Sequence, residues 1–217
     1  MNILFKIEGV KNLADLKSLP DKGVKLFLFG ETHGFLDDIG IQKEILEIIN
    51  PEYYLYEMLE DKNLLNKRDF SEFLSNSDEK DFSVISTYGE LKPTISMLNE
   101  MAIKVVGCDI QNMGRENKDF LKIKELTPEQ EKKEEDLLRK RERVQAERIN
   151  DYSKKNKKVF ASLGAYHLRK GSLLLDKLNE KKFVLFYPVY KGKPAFAPEE
   201  DMKQEDISYI AELKESN

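Results

Sequence analysis

Cysteine and histidine are scarce in this sequence, with one cysteine and two histidines among 217 residues. A single thiol, Cys108, rules out an intrachain disulfide framework and a thiolate-rich zinc site, and it suits a reducing compartment. Long apolar runs are missing too. The opening stretch MNILFKIEGV is broken by Lys6 and Glu8, so it lacks the apolar centre of a signal peptide, and no segment is long enough to span a bilayer. These absences point to a soluble cytoplasmic chain with no membrane partner. An excess of one charge is also absent. Thirty-six basic against 40 acidic side chains leave a formal charge of −4, which provides no global attraction to nucleic acid.

What is present is a 40% apolar and 10% aromatic composition, sufficient for one sizeable core. No internal repeat or low-complexity linker divides the chain. A single domain is expected, with its core from about residue 24 to 190 and a tail at 191–217 that reads as a loop and a short amphipathic segment. Five β-rich runs stand out: Lys25–Phe29, Tyr53–Tyr56, Ile103–Cys108, Val159–Leu163 and Phe183–Tyr187. Each is continuously apolar rather than alternating, as in strands covered on both faces. Helical patterns lie between them: DDIGIQKEILEIIN with Ile39, Ile41, Ile45 and Ile48 or Ile49, then LKPTISMLNEMA, then GSLLLDKLNE before the fifth run. Strands alternating with helices predict an α/β fold with a mainly parallel central sheet flanked by helices.

The longest helix has a marked start, with Thr127 as N-cap, Pro128 in the first helical position and Gln130 completing a capping box; it extends to about Ser153 or Lys155. Most of it is a solvated charged face. Along one stripe, however, Leu138, Arg141, Gln145, Ile149 and Tyr152 fall within roughly 60° of a common direction, with Arg143 nearly opposite. An arginine on a buried face needs an acceptor or a charge partner, whereas one at the rim of that face snorkels to water; helix geometry admits both.

The four central runs each end in a residue capable of chemistry. Glu31 and His33 follow the first in GETHG, Glu57 the second, Asp109 the third, and His167 the fourth in GAYHL. In an open parallel sheet the C-terminal strand ends face the ligand crevice, so three carboxylates and both imidazoles are expected on one rim, within reach of Arg141. Taken singly, each acid also suits a helix N-cap, with Asp109 before Ile110 and Glu57 starting the turn after its strand. Gly30 and Gly164 also suit tight strand-to-loop turns. Both histidines nevertheless stand three residues after a glycine at a strand end. Two imidazoles with one or more carboxylates can hold a divalent metal in an open shell. Without metal, a carboxylate can fix the tautomer of His33, which then deprotonates water. Spacing alone admits both.

GETHG, YEM, GCDI, RERVQAERI and GAYHL, in that order, resemble the superfamily that links erythromycin esterases, TraB/TIKI proteins and ChaN-like haem-binding proteins, over about Leu26 to Leu175. The resemblance implies an α/β fold with these residues at one mouth, and it places the motif arginine at Arg141. In the TIKI branch it implies a metal-dependent peptidase site with Mn2+ or Co2+, whose ligands here would be His33, His167 and Glu57. In the esterase branch it implies metal-free ester hydrolysis by Glu31 and His33. In the ChaN branch it implies haem binding, for which Tyr53, Tyr54, Tyr56, Tyr88 and Tyr166 offer further ligands or stacking surfaces. Glu31 beside His33 follows the esterase pattern, while GAYHL follows the TraB pattern. Gln145 stands where the arginine helix often has methionine, and Lys170 where a glycine is expected, one residue before Gly171. The leading expectation is hydrolysis of an ester or amide bond in a small-molecule or peptide substrate. A divalent metal would activate water, Glu31 or Asp109 would handle the proton, and Arg141 would stabilise the oxyanion.

Overall fold

The computed structural model describes residues 3–33, 35–75, 89, 91–114, 126–154, 157–180, 182–197 and 201–215. Tyr88, named above as a possible ligand, lies outside them. Among the described residues, nine strands form one sheet: β1 (Ile3–Lys6), β2 (Leu26–Glu31), β3 (Tyr53–Tyr56), β4 (Asn63–Leu64), β5 (Lys104–Gly107), β6 (Val159–Gly164), β7 (Lys182–Tyr190), β8 (Lys193–Pro194) and β9 (Ser208–Glu215). Their spatial order is β1-β9-β7-β2-β6-β3-β5-β4, with β8 pairing to β7. The central ladder is parallel: β2 pairs with β6 and β7, and β3 with β5 and β6. The expected mainly parallel sheet is therefore present, with antiparallel strands at its margins.

The continuous apolar runs divide between two faces because successive side chains on a strand point oppositely. On β2, Phe27 and Phe29 enter one core with Tyr54, Phe160 and Phe186. Helices α1 (Asp37–Ile49), α2 (Lys67–Ser75) and α3 (Leu91–Glu100) cover that core. Leu26 and Leu28 enter the other with Ala161 and Leu163, under α4 (Pro128–Ser153) and the single turn α5 (Leu173–Asp176). All four side chains from Leu26 to Phe29 are fully buried, which is worth roughly 1.5–3 kcal/mol each. The aromatic side of the sheet stacks ring on ring, with centroids 5.3 Å apart for Tyr54–Phe160 and 4.9 Å for Phe29–Tyr209.

The predicted start of α4 is formed as read. Thr127 Oγ1 accepts from the Gln130 N–H at 3.3 Å, and Gln130 Oε1 accepts from the Thr127 N–H at 2.8 Å. Arg141, Gln145 and Ile149 are buried on one side, and Arg143 is exposed. On α1 the buried face is Asp38, Ile41, Gln42, Ile45, Leu46 and Ile49, so two polar residues lie among the isoleucines in its first half.

Two sequence expectations need correction. GSLLLDKLNE closes only the turn α5. The tail is not a loop ending in a peripheral amphipathic segment: Ser208–Glu215 is β9, antiparallel to β7 and parallel to the N-terminal β1. Over so short a segment the alternation of Tyr209, Ala211 and Leu213 carries little signal, and the partners that make it a strand are remote in sequence. Tyr209 is 1% exposed. Tyr209→Ala is expected to destabilise the protein by about 3–5 kcal/mol, whereas a substitution on a solvated tail costs within ~0.5 kcal/mol. The urea unfolding midpoint distinguishes the two.

Candidate active site

Strands β2, β6, β3 and β5 are neighbours, so their C-terminal ends lie side by side at about 4.8 Å intervals. Glu31, the last residue of β2, is in register with Gly164, the last of β6. Glu57 opens a 3₁₀ turn (Glu57–Leu59) directly after β3. Asp109 lies two residues past β5. There Gly107 permits the 60–62 loop to fold over the strand, since a Cβ would stand 2.3 Å from the Glu60 carbonyl oxygen. The Gly107 N–H donates to Lys62 O at 2.6 Å and the Asp109 N–H to Glu60 O at 2.9 Å.

Glu57 is at the centre. Its Oε1 accepts from Arg141 Nη2 at 2.5 Å and lies 3.3 Å from His167 Nε2, while Oε2 accepts from the Gly164 N–H at 2.5 Å. Burial alone would raise the Glu57 pKa, but His167, Arg141 and His33 outweigh it and hold the carboxyl well below its ordinary value. Asp109 completes the arginine clamp. Its Oδ2 accepts from Arg141 Nε at 2.9 Å and Nη2 at 2.5 Å and from Gln145 Nε2 at 3.3 Å, and its Oδ1 accepts from the Ile110 N–H at 2.8 Å. Burial opposes the charge on Arg141, but Glu57 and Asp109 more than compensate and raise its pKa. The inward turn of Arg141 predicted from helix periodicity thus has its partners. Asp109, expected from the sequence as one of two proton carriers, has both oxygens engaged, Oδ2 by Arg141 and Gln145 and Oδ1 by its own turn.

The two glycines act by being small, not by adopting a left-handed backbone: Gly164 has φ −51°. A Cβ on Gly164 would stand 2.8 Å from His33 Nε2 and 3.4 Å from Glu57 Oε2. A Cβ on Gly30 would stand 3.2 Å from Ala165. Each glycine therefore makes room for the segment that carries the other histidine. The result places His33 Nε2 beside Gly164 and Glu57, with His33 Nδ1 3.8 Å from Glu31 Oε2. His167 is arranged similarly, Nε2 toward Glu57 and Nδ1 3.6 Å from Glu142 Oε1. Burial would lower the His167 pKa, but Glu57 and Glu142 overcome it and raise it. His33 is the more accessible imidazole, its side chain 23% exposed against 5% for His167.

Sequence reasoning missed Glu142, which is 1% exposed and also accepts from Arg169 Nη1 and the Leu173 N–H. Its signal was available: 138, 142, 145 and 149 continue the same helical stripe. Also missed were Gln42 and Ser162, which donate to Glu31 Oε1 at 3.0 and 2.5 Å. Gln42 on the apolar face of α1 was a legible anomaly; Ser162 inside an apolar strand was not. Cys108 is buried, and burial with Asp109, Glu57 and Glu31 nearby raises its pKa well above the ordinary value, so it remains a thiol.

The expected metal shell of His33, His167 and Glu57 is not formed. Among the described residues no three His, Cys, Asp or Glu side chains group as ligands. The Glu57 carboxylate that such a shell would use already accepts from the Arg141 guanidinium on one oxygen and from the Gly164 N–H on the other. Arg141 also lines a cavity of 460 Å³ whose wall includes Leu126, Leu137, Leu138 and Tyr166. Tyr166 is 47% exposed, and the Arg169 guanidinium lies 4.2 Å from its ring centroid.

The buried charges set the pH dependence of stability. The raised His167 pKa contributes stability that is complete below its ordinary value of 6.5 and is lost as pH rises through the folded value. The lowered Glu57 pKa contributes stability present above 4.5 and lost as pH falls through its folded value. Urea midpoints are therefore expected to decline above about pH 6.5. In His167→Gln that alkaline decline should flatten, even though the variant is less stable throughout.

The sequence profile of the TraB/PrgY/gumN family matches residues 64–185, which include Asp109, Arg141 and His167. No curated protein matches the sequence. Among solved structures, the chain is similar to RRSP, a MARTX toxin effector domain from Vibrio vulnificus, at 12% identity and a TM-score of 0.52 over 98% of this chain. It spans 39% of the length of that chain, and the likeness is one of fold. It is also similar to ChaN of Campylobacter jejuni, in a structure of cofacial haem binding, at 15% identity and a TM-score of 0.49 over 93% of this chain and 90% of that one. The family match extends over more than half of the sequence and contains Asp109, Arg141 and the second histidine, and by it the chain belongs to the TraB/PrgY/gumN family.

Proposed function

We propose that this protein hydrolyses an ester or amide bond by a metal-independent histidine–carboxylate mechanism, with His33 as general base and Glu31 as the group that orients it. The observation that carries the reading is the opposed environment of the two His33 nitrogens, Nδ1 toward Glu31 Oε2 and Nε2 toward the Gly164–Glu57 corner where β6 and β3 end. A base in this position needs its Nδ1 proton held by an acceptor so that Nε2 carries the lone pair. The 3.8 Å separation is longer than a hydrogen bond, and such contacts tighten when substrate binds.

In the proposed reaction a water gives its proton to His33 Nε2 as its oxygen bonds to the substrate carbonyl carbon. The tetrahedral intermediate then collapses, the bond to the leaving oxygen or nitrogen breaks, and the His33 imidazolium returns the proton to that group. The Arg141 Nε and Nη2 groups are held by Glu57 and Asp109, while Nη1 finds no acceptor among the described residues and supplies positive charge for the oxyanion. His167, whose pKa is raised by its two carboxylates against the effect of burial, adds to that field when protonated and lies against Glu57. The cavity beside Arg141 would receive the substrate.

His33→Ala is expected to lower kcat by about 10²–10⁴-fold on a panel of p-nitrophenyl acyl esters and fluorogenic peptides. Dialysis against chelator should leave the rate unchanged, and metal analysis of the purified protein should find no stoichiometric ion. A rate abolished by chelation and restored by Mn2+ or Co2+ would overturn the metal-free scheme. A second reading, haem binding, is favoured by the exposed Tyr166 on the cavity wall, where its phenol oxygen could meet the iron. It expects a Soret band on haem titration that is lost in Tyr166→Phe.

A further inference from the structure

Three buried groups behind Glu31 form a chain that the proposed reaction does not itself require. Tyr54 on β3 donates its hydroxyl hydrogen to Gln42 Oε1 on α1. The Gln42 amide in turn donates from Nε2 to Glu31 Oε1 at 3.0 Å. Ser162 on β6 donates its hydroxyl to the same Glu31 oxygen at 2.5 Å. Tyr54 and Ser162 are 0% exposed and Gln42 is 1% exposed. Such a chain is costly to bury, since each member must satisfy its donors and acceptors within the protein.

We propose that Gln42, Tyr54 and Ser162 are positioning residues that set the tautomer of His33 through Glu31. The inference rests on the His33–Glu31 reading above and assigns the source of its geometry.

A glutamine amide can present either its oxygen or its NH2 group to a neighbour. Facing a carboxylate with the oxygen would bring two acceptors together. The Tyr54 hydroxyl removes that option by donating to the amide oxygen, so only the NH2 end can meet Glu31. Two donors, from Gln42 and Ser162, then converge on Glu31 Oε1 and fix the plane of the carboxylate. In that plane Oε2 is turned toward His33 Nδ1. An acceptor held rigidly at Nδ1 favours the imidazole that carries its proton there, in competition with the Glu57 carboxylate on the Nε2 side. The donors arrive from α1, β3 and β6, three elements of the rigid scaffold, whereas His33 itself is carried on the segment after β2. The scaffold thus dictates the protonation geometry of a residue outside it.

The sequence contains only two histidines, so 15N-histidine labelling gives two imidazole spin systems, and long-range 1H–15N spectra report the tautomer of each. In the wild-type protein, neutral His33 is expected to carry its proton on Nδ1. In Tyr54→Phe, which removes one oxygen atom, and in Gln42→Met, the His33 signals should move toward the Nε2–H pattern. His167, bracketed by Glu57 and Glu142, should be unchanged. Gln42→Glu offers no NH2 donor and should resemble Gln42→Met. Where the ester assay gives turnover, these variants should lower kcat about 10-fold with little change in KM. Tyr54→Phe is the variant to rely on should Gln42→Met fail to fold, as judged by thermal unfolding. An unaltered His33 tautomer in folded Tyr54→Phe and Ser162→Ala would overturn the inference while leaving the hydrolytic reading intact. A tautomer that responds in a protein with no turnover on any acyl substrate would support the positioning chain and count against hydrolysis.

Discussion

The site depends on a single buried carboxylate. Glu57 sits where β3 meets β6 and holds the Arg141 guanidinium on one oxygen and the Gly164 backbone on the other, with His167 Nε2 close by. Removing an ion of this size from water costs several kcal/mol even after relaxation, so the position is tenable only because cations and a backbone donor meet it on both oxygens. Once Glu57 is charged, the remaining groups follow from electrostatics. Arg141 must enter the interior, Asp109 must share it, and His167 is drawn toward the protonated form. Glu142 then takes the other side of His167 and is itself met by Arg169.

An arrangement of this kind is poor economy for stability alone, because apolar residues of similar volume fill such a space at lower cost. Concentrating four acids, two arginines and two histidines at the mouth of four adjacent strands instead creates a preorganised polar field inside a low-dielectric wall. Glu57 is met by the Arg141 guanidinium at 2.5 Å on one oxygen and by the Gly164 N–H on the other.

Much of the layout is legible from residues alone. The runs at Leu26, Tyr53, Val105 and Val159 are strands because β-branched and aromatic side chains buried on both faces leave no other regular structure of that length. Glu31, Glu57, Asp109 and His167 come together because parallel strands present all their C-terminal ends to the same side. Arg141 shares the apolar stripe of its helix by periodicity, and its ion pairs with Glu57 and Asp109 turn it inward rather than to the rim. The tail was misread for an equally physical reason. A strand such as β9 is defined by partners far away in the chain, and its own composition is nearly neutral between helix and strand.

Local periodicity and strand-end position are properties of short segments, and they suffice to put Glu31, His33, Glu57, Asp109 and His167 on one rim within reach of Arg141. Which atoms meet is a matter of long-range packing. By inserting β6 between β2 and β3, the sheet brings Gly164 against His33 and Glu57, and it turns the Nε2 atoms of both histidines toward the same carboxylate. That choice is made by strand order and by contacts of a few ångströms between remote segments, and neither is encoded in the spacing of residues along the chain.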